Sequence, residues 1–111
     1  MNKYRNKKVQ INNYVFDSIA ESRRYKELAL LEKAKVIENL QLQPRFLLQE
    51  SFKKNGKTYR KITYKADFYY FDNHLGKYIV EDVKGFKTDV YKLKKKMFEY
   101  KYPELELEEI K

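Results

Sequence analysis

Two runs that otherwise read as apolar strands carry carboxylates and a lysine: Lys65-Ala66-Asp67-Phe68-Tyr69-Tyr70 and Val80-Glu81-Asp82-Val83-Lys84-Gly85. Both alternate and are rich in Tyr, Phe, Val and Ile, and Asn73-His74-Leu75-Gly76 between them reads as a hairpin turn. With a loop of two or four residues, opposed residues have numbers of constant sum, so Asp72 opposite Lys77 places Asp67 opposite Asp82. Like charges opposed across a sheet are destabilising, and a cation between them relieves the repulsion. Oxygen ligands, no Cys and a single His in the chain suit a hard divalent ion such as magnesium and argue against zinc. Lys84 lies two residues beyond Asp82 and therefore shares the face of both aspartates. The competing reading is a solvated ion-pair cluster on an exposed sheet face.

The elements that must position these residues follow from local signals. Val9 to Ile11 and Tyr14 to Phe16 read as short extended pieces around a turn at Asn12-Asn13. Asp17 or Ser18 then caps a helix, with Ser18 and Glu21 spaced as a capping box before a stripe of Tyr25, Leu28 and Leu31 or Glu32. Glu21 thus has two readings, a helix cap or a further acidic ligand. Its helical spacing to Tyr25 and Leu28 would turn it toward the sheet. Helical character fades from Ala34 to Leu40, and after Pro44 the run Arg45 to Phe52 begins the main sheet.

Asn55-Gly56 signals a hairpin into one long strand from about Tyr59 to Asp72. Alternation along that strand puts Ile62, Tyr64, Ala66, Phe68 and Tyr70 on one face and Thr63, Lys65, Asp67, Tyr69 and Phe71 on the other. Thr88 or Asp89 caps a second helix with an expected buried stripe of Val90, Leu93, Met97 and Tyr100, and Pro103 stops it. Leu105, Leu107 and Ile110 suit an edge strand.

Asp67, then Asp82-x-Lys84 on successive strands, resembles the PD-(D/E)XK nuclease superfamily. Phe16-Asp17-Ser18 before Glu21-Ser22-Arg23-Arg24-Tyr25, then Tyr64-Lys65-Ala66-Asp67-Phe68, Glu81-Asp82-Val83-Lys84-Gly85 and Tyr91-Lys92-Leu93-Lys94, resembles small phage-encoded nuclease-like proteins within it. The likeness covers almost the whole chain, with two departures: Ala66 replaces the proline of the motif, and Asp82 stands where glutamate is common. It implies an α/β (α+β) fold, a core of helix, three strands, helix and strand, with a mixed sheet flanked by helices. It also implies magnesium, with manganese able to substitute, held by Asp67, Asp82, the Val83 carbonyl and Glu21. Asp67, Asp82, Lys84 and Glu21 form the expected catalytic set. Glu81 falls on the opposite strand face unless a bulge before Gly85 exchanges it with Asp82.

Composition narrows the field independently. The chain has 111 residues, enough for one domain spanning 1–111, and 42% hydrophobic residues, with 11 Tyr and 7 Phe, suffice for a single core. Zero Cys excludes disulfides and thiolate catalysis, and no apolar run or leader suggests a membrane span or secretion, so the expected compartment is the cytoplasm, that of a bacterial host if the protein is phage-encoded. Twenty-five basic against 16 acidic residues give +9, which favours a polyanionic partner. Lysines crowd the proposed site and the helix after it, and Lys87 and Lys94 are the expected DNA contacts, while Tyr69 reads as packing and His74 as a solvated turn residue. The leading expectation is a DNA endonuclease, structure-selective on branched or recombination DNA as resolvases are, and working as a homodimer. The alternatives are a non-catalytic nucleic-acid-binding module on the same fold, or a protein-binding module using its aromatic sheet edge.

Overall fold

The computed structural model describes residues 8–11 and 14–111. The expected turn at Asn12-Asn13 and most of the basic N-terminal stretch lie outside them. In chain order the elements are β1 (Val9–Ile11), β2 (Tyr14–Phe16), α1 (Ile19–Lys33), β3 (Ile37–Leu42), β4 (Arg45–Gln49), β5 (Phe52–Lys54), β6 (Lys57–Tyr59), β7 (Ile62–Lys65), β8 (Phe68–Asp72), β9 (Lys77–Val83), α2 (Asp89–Lys101) and β10 (Glu106–Ile110). The fold is mixed α+β. Its largest sheet runs β10-β9-β8-β3, antiparallel except for the parallel β9–β10 pair.

The two helices begin where their caps predict. Ser18 accepts the Glu21 N–H and Thr88 accepts the Tyr91 N–H through their side-chain oxygens. The β8–β9 hairpin has the expected register, Asp72 opposite Lys77 through Phe68 opposite Glu81. Asp72 itself closes the loop: its Oδ1 accepts the His74 and Leu75 N–H groups at 2.8 and 2.9 Å, and its carbonyl accepts the Gly76 N–H.

Val80 of β9 packs with Tyr91 and Phe98 of α2, whereas its neighbour Ile79 packs with Leu28 of α1. Adjacent strand residues face opposite ways, so the helices cover opposite faces of the sheet. Phe46, Leu48, Tyr64 and Ala66 complete the α2-side core, and Phe16, Ile37, Phe68 and Tyr70 complete the α1-side core.

Three expectations need correction. The single strand from Tyr59 to Asp72 is three strands, β6, β7 and β8, and among the described residues β7 pairs with β4 alone. Around the break at Ala66-Asp67 the ladder persists, with the Gln43 N–H on the Asp67 carbonyl and the Ala66 N–H on the Pro44 carbonyl. The strand nevertheless bends there, and Tyr64 and Ala66 serve one core while Phe68 and Tyr70 serve the other. The stretch expected to be fading helix contains β3, whose pairing with β8 shifts register between Glu38 and Gln41, where Asn39 has φ +57°. Finally, α2 buries Tyr91 and Phe98. Val90, Leu93 and Tyr100 of the expected stripe face outward, and of that stripe Met97 alone packs against the core.

Candidate metal and nucleic-acid site

The bend at Ala66-Asp67 and the C-terminal end of β9 bring the site together. Continuing the β8–β9 register one step sets Asp67 opposite Asp82, and the Asp67 N–H donates to the Glu81 carbonyl at 3.0 Å. Asp67 Oδ2 in turn accepts the Val83 N–H at 2.7 Å. Asp82 is buried; its Oδ2 accepts the Tyr64 hydroxyl and its Oδ1 lies 3.2 Å from Lys84 Nζ. The Lys84 ammonium also sits 4.4 Å above the Tyr91 ring, which holds it against the α2 side of the sheet. The expected trio of Asp67, Asp82 and Lys84 is therefore assembled on one face.

Burial first, and then the neighbouring Asp82 charge, push the Asp67 carboxyl up to about 8, although the Val83 N–H and Lys84 oppose the shift. Burial and the Asp82 carboxylate hold the Tyr64 phenol far above its ordinary range, so it stays a donor to Asp82. Two acids forced together in a low-dielectric pocket create a demand for positive charge.

Glu21 makes the local contacts of the capping reading. One oxygen accepts the Asp17 N–H at 3.3 Å, a local contact of the capping kind, while the buried Oε2 has no hydrogen-bond partner among the described residues. Burial raises its pKa, and its charge adds a lesser contribution to the rise at Asp67, with no direct contact to either aspartate among the described residues. Val83 enters the site through its backbone.

Glu81 is where the alternation puts it, on the α1 face. Arg24 grips it in a bidentate pair, Nε to Oε1 and Nη2 to Oε2 both at 2.7 Å, and the Tyr70 hydroxyl donates to Oε2. That pair ties α1 to the sheet, and Asp82, not Glu81, shares the face of Asp67.

Lys87 and Lys94, the expected DNA contacts, part company. Lys87 Nζ lies 2.9 Å from Glu109 Oε1, next to the site, whereas Lys94 is half-buried on α2 with no ion pair among the described residues. Four participants went unforeseen in these positions: Tyr64, Tyr91, Lys95 and Glu109. Glu109 lies opposite Asp82 in the parallel β9–β10 pair, accepts the Tyr91 hydroxyl at 2.7 Å and has Lys95 at 3.6 Å. These contacts hold its carboxyl down at about 2, the Tyr91 hydrogen bond most of all. Regular alternation set Tyr64 on the face away from Asp67, and only the bend at Ala66-Asp67 brings its hydroxyl to Asp82. Glu109 carries no signal until the crossover from α2 lays β10 beside β9. Tyr69 packs edge-on against Phe46, and His74 is exposed in its turn, both as expected.

Among the described residues no group of three or more His, Cys, Asp or Glu side chains converges closely enough to hold an ion unaided. The donor set still fits magnesium, which is commonly held by one or two carboxylates with waters and substrate phosphates. Asp67 and Asp82 would supply the carboxylates, while Glu21, whose Oε2 is buried without a hydrogen-bond partner among the described residues, does not converge on them closely enough to complete a set of three.

No helix among the described residues is long and apolar enough to cross a membrane. No curated protein and no solved structure matches the chain. Its whole length, residues 1–111, matches the family described as a protein of unknown function (DUF1064), and the chain belongs to that family.

Proposed function

We propose that this member of the DUF1064 family is a magnesium-dependent endodeoxyribonuclease that acts on branched or recombination DNA. The observation that carries the reading is the opposed pair Asp67 and Asp82 with Lys84 fixed on Asp82. The chain order of α1, β3, β8, β9, α2 and β10, with β4 to β7 inserted, supports a PD-(D/E)XK core of helix, three strands, helix and strand.

Asp67, Asp82, the Val83 carbonyl and Glu21 are the groups that would hold the ion. Magnesium, or manganese in its place, would supply Lewis acidity toward a phosphate oxygen and a water there. The protein's own contribution is placement. Tyr64 and Lys84 between them fix both oxygens of Asp82. Lys84 presents an ammonium able to orient the attacking water or stabilise charge on the phosphate. In the reaction, a water oxygen bonds to phosphorus, the bond from phosphorus to a sugar oxygen breaks, and that oxygen takes up a proton. Lys87 and Lys95, collected by Glu109, supply positive charge beside the path of the strand. A homodimer would have the outward stripe of α2 available, where Val90 is 63%, Leu93 59% and Tyr100 90% exposed.

A second reading, a non-catalytic DNA-binding module, is favoured by one observation: Tyr64 and Lys84 already satisfy Asp82. The deciding experiment is incubation of labelled duplex, flap and four-way-junction DNA with magnesium, manganese or EDTA. Metal-dependent cutting that disappears in Asp67→Ala, Asp82→Ala and Lys84→Ala supports the nuclease. Binding without cutting moves the assignment to the module.

A further inference from the structure

The β4–β7 ribbon continues outward into a smaller hairpin, β5–β6, that among the described residues pairs only with itself. Every residue from 49 to 61 is exposed. Residues 51–61 contain Lys53, Lys54, Lys57, Arg60 and Lys61 and no acidic residue, a large share of the chain's +9. None of these five cations has an ion-pair partner among the described residues, and Lys54 stands directly opposite Lys57. Unscreened like charges opposed in a two-stranded ribbon oppose its folding, and such a ribbon is marginal on its own.

The local sequence nevertheless holds it in shape. Asn55 and Gly56 both have positive φ, +53° and +75°, as a two-residue turn matching the strand twist requires. Phe52 stacks on Tyr59 across the strands at 4.8 Å and 11°, and Lys57 Nζ lies 5.0 Å above the Tyr59 ring. The molecule is correspondingly extended, with a radius of gyration of 15.9 Å, against roughly 13 Å for a compact chain of this length.

We propose that the β5–β6 hairpin is an arm that grips duplex DNA at a distance from the catalytic site, with its lysines on phosphates. This rests on the nucleic-acid partner of the proposed function but not on its chemistry. Charge identifies a polyanion, and shape narrows it: a two-stranded ribbon fits the major groove of a duplex. Single strands are held largely by base stacking on aromatic faces, and here the two rings stack on each other beneath a lysine. Position sets the reach. The root of the ribbon, Tyr64, touches Asp82, and Lys57 precedes it by seven residues. That is at most about 24 Å of extended chain, or about seven base-pair steps.

The test is binding of a labelled duplex of about 20 base pairs, two helical turns, across a salt series in EDTA. The proteins compared are wild type, Lys53→Gln/Lys54→Gln/Lys57→Gln, and a charge-matched control on α1, Arg23→Gln/Lys26→Gln/Lys33→Gln. All six positions are exposed. The arm variant is expected to lower the slope of log K against log salt by about 2 to 3, and affinity on the order of 100-fold at 0.1 M salt, with the control changing the slope by less than about 1. Equal slope changes in both variants would overturn the arm. So would a single strand of the same length losing as much affinity as the duplex. Absence of cutting with an arm-dependent slope removes the nuclease and keeps the arm; metal-dependent cutting with an arm-independent slope does the reverse.

Discussion

Asp67→Asn tests the central physical claim, that the aspartate pair is held at a cost until a cation arrives. In the unfolded chain Asp67 titrates near its ordinary 3.8; in the fold it is pushed up to about 8. Between these values the folded state binds the extra proton, so the unfolding free energy must fall as pH rises from about 4 to about 8. Below the window both states are protonated and nothing is lost; above it the whole penalty applies. At about 1.36 kcal/mol per pH unit the rise from 3.8 to about 8 corresponds to a ceiling of roughly 6 kcal/mol, and sharing of charge with Asp82 and local relaxation bring the expected effect to about 3 kcal/mol.

Asparagine keeps an oxygen to accept the Val83 N–H and removes the charge. Urea denaturation in EDTA should therefore find the variant close to wild type at pH 4 and more stable by about 3 kcal/mol at pH 9. A residual slope from Glu21, whose pKa burial also raises, will remain in both proteins. Magnesium at pH 9 should recover stability in wild type and much less in the variant. Parallel pH profiles for the two proteins, or a variant less stable than wild type at pH 9, would refute the reasoning.

Glu81→Gln should lower the urea midpoint by an amount equivalent to about 3 kcal/mol, because the Arg24 guanidinium loses its buried partner charge. Glu109→Gln should release Lys87 and Lys95, tightening duplex binding and steepening the salt slope by about 1 to 2 in an anisotropy titration. Phe98→Ala, which empties the centre of the α2-side core between Phe46 and Tyr64, should cost about 3 to 5 kcal/mol in the same denaturation assay.

Much of the site was legible because it depends on one short hairpin. Asp72 and Lys77 set the register, the four-residue loop preserved it, and period-two alternation did the rest for Asp67, Asp82, Lys84 and Glu81. Caps at Ser18 and Thr88 and the Asn55-Gly56 turn were equally local. Face assignment on α2 was not. Val90, Leu93, Met97 and Tyr100 make as good an apolar stripe as Tyr91 and Phe98, and the choice falls to the packing of α2 against β4 and β7. β3 was hidden because its register shift at Asn39 breaks the alternation that marks a strand.

What the amino-acid sequence determined by itself were features whose energetics close within a few residues: caps, turns, the register of β8 with β9, and the crowding of like charge at Asp67 and Asp82. Tertiary structure decided what comes from far along the chain. The bend at Ala66-Asp67 brought Tyr64 onto Asp82, the docking of α1 committed Glu81 to Arg24, and the parallel return of β10 delivered Glu109 to Tyr91 and two lysines. Such contacts join residues whose separation carries no periodic signal, and only the burial of both sheet faces brings them together.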